Sequence, residues 1–233
     1  MNDALPVINI RAHANKHALF LMSLGMVLFF IVLLISQFYW QEFQSILIFC
    51  YLTTFIISLS GIVKRLEPYF SFTLSPEKII YHHRYGQWQL DWHQIKRVAI
   101  VKETVGLETI ELPYIGIKLH NIELLATQIS PRLANRLIHE QKPLISFAIR
   151  YNLMTLSQGV ICFDSYKLTH GNMISGPLAA FLYHCEALES AFGYQLFIPT
   201  TSLDRELSSF CALLFQCKDA SSDYQDDRNL TEE

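Results

Sequence analysis

ALFLMSLGMVLFFIVLLISQFYWQEFQSILIFCYLTTFIISLSGIV, residues Ala18 to Val63, holds a single formally charged side chain, Glu42. A bilayer core about 30 Å thick is crossed by roughly 20 apolar residues in a helix rising about 1.5 Å per residue. Two stretches meet that length, about Ala18 to Ser36 and about Ser45 to Val63. Between them Gln37–Gln44 carries Tyr39, Trp40 and Glu42, and its aromatics suit a membrane interface. So short a linker returns the chain to the side it left. The sequence therefore predicts a transmembrane hairpin at 17–64 with both flanks in one compartment.

The basic residues near the spans set the orientation. Arg11 and Lys16 precede the first, Lys64 and Arg65 follow the second, and the linker has no Lys or Arg. The positive-inside rule then puts both termini in the cytoplasm of a bacterial inner membrane. The first span is too long for a signal-peptide core and has no small-residue cleavage site after it, so it is expected to be retained. Thr54, Ser58 and Gly61 form a small-residue stripe on the second span. Such a stripe admits a close helix neighbour, either the first span through Ala18 or Gly25, or a second copy of the chain.

Outward from the hairpin, 1–16 reads as a cytoplasmic N-terminal segment, 65–217 as a folded domain and 218–233 as a disordered tail. The tail sets Asp219, Asp223, Asp226, Asp227, Glu232 and Glu233 against Lys218 and Arg228. It has almost no large apolar side chain to bury. Cys50 lies in a span, and Cys162, Cys185, Cys211 and Cys217 show no paired spacing. Reduced thiols are the simple reading. A net charge of −3 offers no overall basic balance for nucleic acid.

Alternation of apolar and polar residues predicts strands at Tyr69–Leu74, Glu77–Tyr85 and Gln87–Trp92, the last with Trp88, Leu90 and Trp92 on one face. Further strands are expected at Ile95–Lys102, Thr109–Leu112 and Tyr114–His120, completing an antiparallel meander. Ser130-Pro131 supplies a cap and first-turn proline for a helix to Gln141, which Pro143 ends. Leu144–Ile149 and Gly159–Tyr166 read as strands. Gly176-Pro177 opens a helix closed by Gly193, and a last helix is expected at Leu203–Phe215. Strands first and helices later make the fold class α+β.

The stretch FTLSPEKIIYHHRYGQWQLDWHQIKRVAI, Phe72 to Ile100, resembles the opening of bacterial pleckstrin-homology-like domains. It has a strand, a turn, a strand with an exposed basic-aromatic end, and a tryptophan strand closing in Trp92, His93, Gln94 and Ile95. The wider chain, including SPRLANRLIHEQKPLISFAIR at Ser130–Arg150, is similar to an uncharacterised family of two-pass membrane proteins of Gram-negative bacteria. The resemblance implies a cytoplasmic domain following a two-helix anchor, and brings no activity.

No residue set names a reaction. His139-Glu140 lacks the second histidine of a zinc-protease helix, where Pro143 stands instead. His82 and His83 are neighbours in a strand and point to opposite faces. His184 and Cys185 diverge by about 100° on a helix, so a buried structural thiol is the expectation there. Cys162, Asp164 and His170 form a looser set in a turn-rich region. Neither glycine-rich phosphate motif occurs, and no cofactor, metal or catalytic residue is assigned. The interaction face expected from the sequence is Lys78, Arg84, Lys96, Arg97 and Lys102, a basic excess able to meet an anionic leaflet. Its partners would be the bilayer and a protein, or a second copy of the chain. The first functional reading is a membrane-anchored cytoplasmic interaction or scaffold module. The alternative is a membrane-bound enzyme or sensor for a small amphiphile, with a pocket near His170 and Cys185.

Overall fold

The structure, a computed structural model, describes residues 7–11, 18–65 and 68–231. Lys16, one of the orienting cations, lies outside them. The chain divides into a helical unit, Ala12–Tyr69, and a folded unit made of Met1–Arg11 together with Phe70–Glu233.

The helical unit is one run of helix, α1 (Ala18–Arg65), whose only non-helical residue is Phe43, at φ −124° and ψ 31°. Two helices joined by a non-helical linker were expected; instead Gln37–Glu42 stay helical. No Gly or Pro interrupts that stretch, so its backbone keeps local hydrogen bonds. The two arms of α1 touch. The Ser36 hydroxyl and the Tyr51 phenol are 2.9 Å apart, and the Phe29 and Tyr51 rings meet edge to face at 5.5 Å. A Cβ on Gly25 would lie 2.6 Å from Ser58 Oγ, and one on Gly61 would lie 2.7 Å from the Met22 backbone nitrogen. In a straight helix Gly25 and Ser58 would be about 50 Å apart at 1.5 Å per residue. α1 therefore turns back at Phe43, and the stripe Thr54, Ser58 and Gly61 packs within the chain. Its outer surface is mostly apolar, with Phe20, Phe30, Leu34, Phe38, Phe49 and Phe55 exposed, and Gln37, Gln41, Glu42 and Gln44 add polar side chains around the turn. By length and composition it is able to cross a membrane.

The folded unit opens with an element the sequence reading missed. β1 (Ile8–Ile10), expected to be part of a plain N-terminal segment, pairs antiparallel with β2 (Phe72–Leu74). Ile10 is fully buried, and the Ser71 amide donates to its carbonyl at 2.8 Å. β3 (Lys78–His83) and β4 (Gly86–Asp91) complete a sheet of order β1-β2-β3-β4. The alternation expected of Trp88, Leu90 and Trp92 is present, all three being buried, and Trp92 Nε1 donates to the Ser75 carbonyl at 2.8 Å.

β5 (Ile95–Val105) and β6 (Glu108–Leu119) form a long hairpin. Two separate strands were expected where β6 is one. Its ladder is disturbed around Pro113, between the pairs Ile100↔Ile115 and Lys102↔Glu111, but resumes on the far side. Four helices follow: α2 (Glu123–Gln128), α3 (Pro131–Glu140), α4 (Lys142–Arg150) and, after a two-stranded ribbon of β7 (Tyr166–Lys167) and β8 (Met173–Ile174), α5 (Pro177–Phe192). β9 (Leu196–Pro199) then joins β6 to give the sheet β5-β6-β9. α6 (Leu207–Thr231) is last.

Helix signals fared well where they were explicit. Ser130 caps α3 by accepting from the Leu133 amide at 3.2 Å, and Gly193 closes α5 in the left-handed region at φ 79°. Leu144–Ile149, expected to be a strand, lies inside α4, with Pro143 in its first turn. Leu144, Ile145 and Ala148 are buried there, a helical spacing, against Leu188 and Phe192 of α5. Gly159–Tyr166 is not a strand; only Tyr166 enters β7. The stretch expected as a disordered tail continues α6 to Thr231. Lys218 Nζ donates to the Ile95 carbonyl at 2.7 Å, and Ser221 is buried. The main core joins both sheets to α3, α5 and α6 through Phe72, Trp92, Ile115, Leu137, Phe181 and Phe210.

Candidate functional site

The five cations expected to form one face do not share a sheet. Lys78 opens β3 and donates to Gln89 Oε1 at 3.1 Å, while Arg84 sits in the β3–β4 turn with its guanidinium carbon 4.6 Å from the centre of the Tyr85 ring. Lys96, Arg97 and Lys102 lie on β5, in the other sheet. Lys96 is the extra residue of a bulge between Ile95 and Arg97, which turns both Lys96 and Arg97 outward. Arg97 lies over the Tyr194 ring at 5.3 Å, and Lys102 pairs with Glu111 at 2.5 Å. Strands that look alike in sequence, β3, β4 and β5, divide between two sheets and carry these cations with them.

A basic surface that sequence reading missed lies on α3. Arg132, Asn135, Arg136 and His139 are exposed, while Leu133, Ala134, Leu137 and Ile138 are buried. Arg132, Arg136 and His139 recur at helical spacing, a signal present in PRLANRLIHE. The single carboxylate on α3 is Glu140. Its burial would raise its pKa, but His83 Nε2 at 3.6 Å and Arg136 Nε at 2.8 Å outweigh that and hold it below the ordinary carboxylate value. The Ser130 hydroxyl at the head of α3 donates to the Tyr85 carbonyl at 2.9 Å, so the β3–β4 turn and α3 are one construction.

The histidine and cysteine candidates separate as the geometry of strands and helices requires. His82 Nε2 is 3.1 Å from Thr73 Oγ1, whereas His83 stacks between Tyr81 and Tyr85 on the other side of β3. Cys185 is fully buried, and burial with Glu186 and Glu189 nearby pushes its thiol well above the ordinary value. His184 turns to Gln141 Oε1 at 3.0 Å, and burial lowers its pKa to about 4. The two neighbours therefore make no nucleophile and base pair. Cys162 Sγ donates to Asp164 Oδ2 at 3.3 Å, and exposed His170 belongs to a separate turn. Cys162 does border a cleft of about 320 Å³ between the loop after α4 and α5, with Val160, Ile161, Tyr183 and His184 among its walls. Among the described residues no group of three or more His, Cys, Asp or Glu side chains is placed to hold a metal ion.

A family model described as protein of unknown function, DUF2982, matches residues 72–220. The chain belongs to the DUF2982 family. That match begins at the first residue of β2 and runs into α6, so it takes in β2 to β9, the α3 surface and the cleft. β1 and α1 lie before it. No curated protein and no solved structure matches the chain.

Proposed function

We propose that this DUF2982 protein is a membrane-anchored scaffold whose folded unit is a cytoplasmic, pleckstrin-homology-like interaction module. α1 serves as a two-pass anchor in a bacterial inner membrane. The observation that carries this reading is the pairing of Ile10 with Phe72. The chain leaves one strand, makes the apolar excursion and returns to the adjacent strand, so both ends of α1 start from one folded body. An element with both ends on one body enters and leaves a bilayer on the same side, as the contacts between its arms also favour. Arg11, Lys64 and Arg65 near its ends then favour the cytoplasmic side. Two antiparallel sheets followed by a long C-terminal helix are compatible with the pleckstrin-homology-like reading. The lack of a catalytic constellation among the described residues suits a binding role.

Reporter fusions test the topology. A fluorescent protein after Glu233 is expected to fold in the cytoplasm, and alkaline phosphatase inserted near Gln41 is expected to be active in the periplasm. The reverse pattern would overturn the anchor reading. Cross-linking and mass spectrometry of full-length protein from gently solubilised membranes tests the scaffold: a stoichiometric protein partner is expected, and recovery of the chain alone argues against it.

The cleft beside α5 favours a second reading, a sensor or enzyme for a small amphiphile. Its mouth carries exposed Val160, and Leu156 and Phe163 in the same loop are exposed too. Protection of Cys162 from alkylation by detergent-like amphiphiles, but not by small polar solutes, would support it.

A further inference from the structure

We infer that the outer face of α3, with Arg132, Arg136 and His139 and joined by Arg84 of the β3–β4 turn, is a docking surface for anionic lipid headgroups. This rests on the membrane-anchor reading of α1.

Register across the first sheet locates the surface. Ile10, Phe72, Tyr81 and Trp88 face one another across its four strands. β1 runs out to Arg11 just beyond that row, and β2 is entered from Phe70 and Ser71. The β3–β4 turn at Arg84 and Tyr85 lies three residues beyond the row at the same end. The chain thus leaves for the apolar helix and returns from it at the end of the sheet that carries the turn. α3 closes this end. Leu137 borders a small crevice with Phe72, Tyr81 and Trp88, and Ser130 is tied to the turn. With its apolar side on α5 and the end of β4, α3 turns Arg132, Arg136 and His139 outward.

Tether length and charge select the occupant. Arg65 is five residues before Phe70, so the returning chain spans at most about 18 Å. That holds this end of the sheet near the headgroup layer if α1 is embedded, within reach of arginine side chains and of an anionic surface potential. The one carboxylate on α3, Glu140, is paired with Arg136, which leaves Arg132 and, in the adjoining turn, Arg84 as the arginines of this surface without a carboxylate partner among the described residues. The other cations of the expected face lack this placement: Lys78 begins β3 at the opposite end of the sheet, and Lys96, Arg97 and Lys102 are on β5.

The test uses the full-length protein in lipid nanodiscs with a photoreactive benzophenone amino acid replacing Asn135, between the two arginines, or Phe38, on the exposed surface of α1. Lipid adducts are expected at both positions in discs containing phosphatidylglycerol. The Asn135 adduct should fall about fivefold for each of Arg132→Gln and Arg136→Gln, and similarly in phosphatidylcholine alone, while the Phe38 adduct stays unchanged. Lipid at Phe38 with none at Asn135 overturns the docking surface and leaves the anchor standing. So does an Asn135 adduct to protein, or one indifferent to lipid charge. Absence of lipid at Phe38 overturns the anchor reading and this inference with it.

Discussion

Ile10 and Phe72 stand opposite each other in neighbouring antiparallel strands although the whole of α1 lies between them in sequence. The fully buried Ile10 side chain makes β1 part of the core. Ile10→Ala should destabilise the folded unit by about 2–5 kcal/mol. Emission from buried Trp88 and Trp92 follows unfolding in denaturant, and an unchanged midpoint would show that β1 contributes nothing to the core.

Gly61→Leu should force the arms of α1 apart. The added carbon would sit against backbone atoms of Met22, which have no rotamer by which to yield, at a cost of about 1–3 kcal/mol. Thermal unfolding in detergent should fall, whereas Ile62→Leu at the neighbouring exposed position should leave it unchanged. Equal effects of the two substitutions would argue against the close contact.

Alkylation should divide the cysteines by burial. Iodoacetamide applied to the native protein is expected to modify partly exposed Cys162 and to spare Cys185, whose thiol is both inaccessible and held protonated. Peptide mapping reads the outcome. Rapid native modification of Cys185 would mean that α5 opens or that the thiol is activated.

Acid should destabilise the folded unit through His184. Its pKa is lowered by burial from 6.5 to about 4, so the unfolded chain takes up a proton at a pH where the folded chain does not. The stabilisation is therefore complete above pH 6.5 and is lost as pH falls toward 4, on the order of 3 kcal/mol in total. Glu140, also lowered, acts in the same direction at the acid end of the window. Denaturant midpoints measured across this range should decline less steeply in His184→Gln than in the parent chain. Parallel declines would assign the acid sensitivity to other groups.

Wherever one short segment of the chain contains its own physical reason, the sequence was sufficient to read it. The apolar run of α1 states its length and surroundings, the alternation of Trp88, Leu90 and Trp92 states a half-buried strand, and Ser130-Pro131 and Gly193 state helix ends. Tertiary structure decided what depends on a distant partner. Ile8–Ile10 is a strand only because β2 is there to pair with it, and Leu196–Pro199 only because β6 is. Leu144–Ile149 is apolar enough for a strand or a helix, and burial of Leu144, Ile145 and Ala148 against α5 selects the helix. The basic surface divides in the same way. The spacing of Arg132, Arg136 and His139 is written in the sequence, but only packing of α3 on α5 and the end of β4 turns those side chains outward at the end of the sheet where the chain departs for α1. Local periodicity records which side of an element is polar; long-range pairing determines what that side faces.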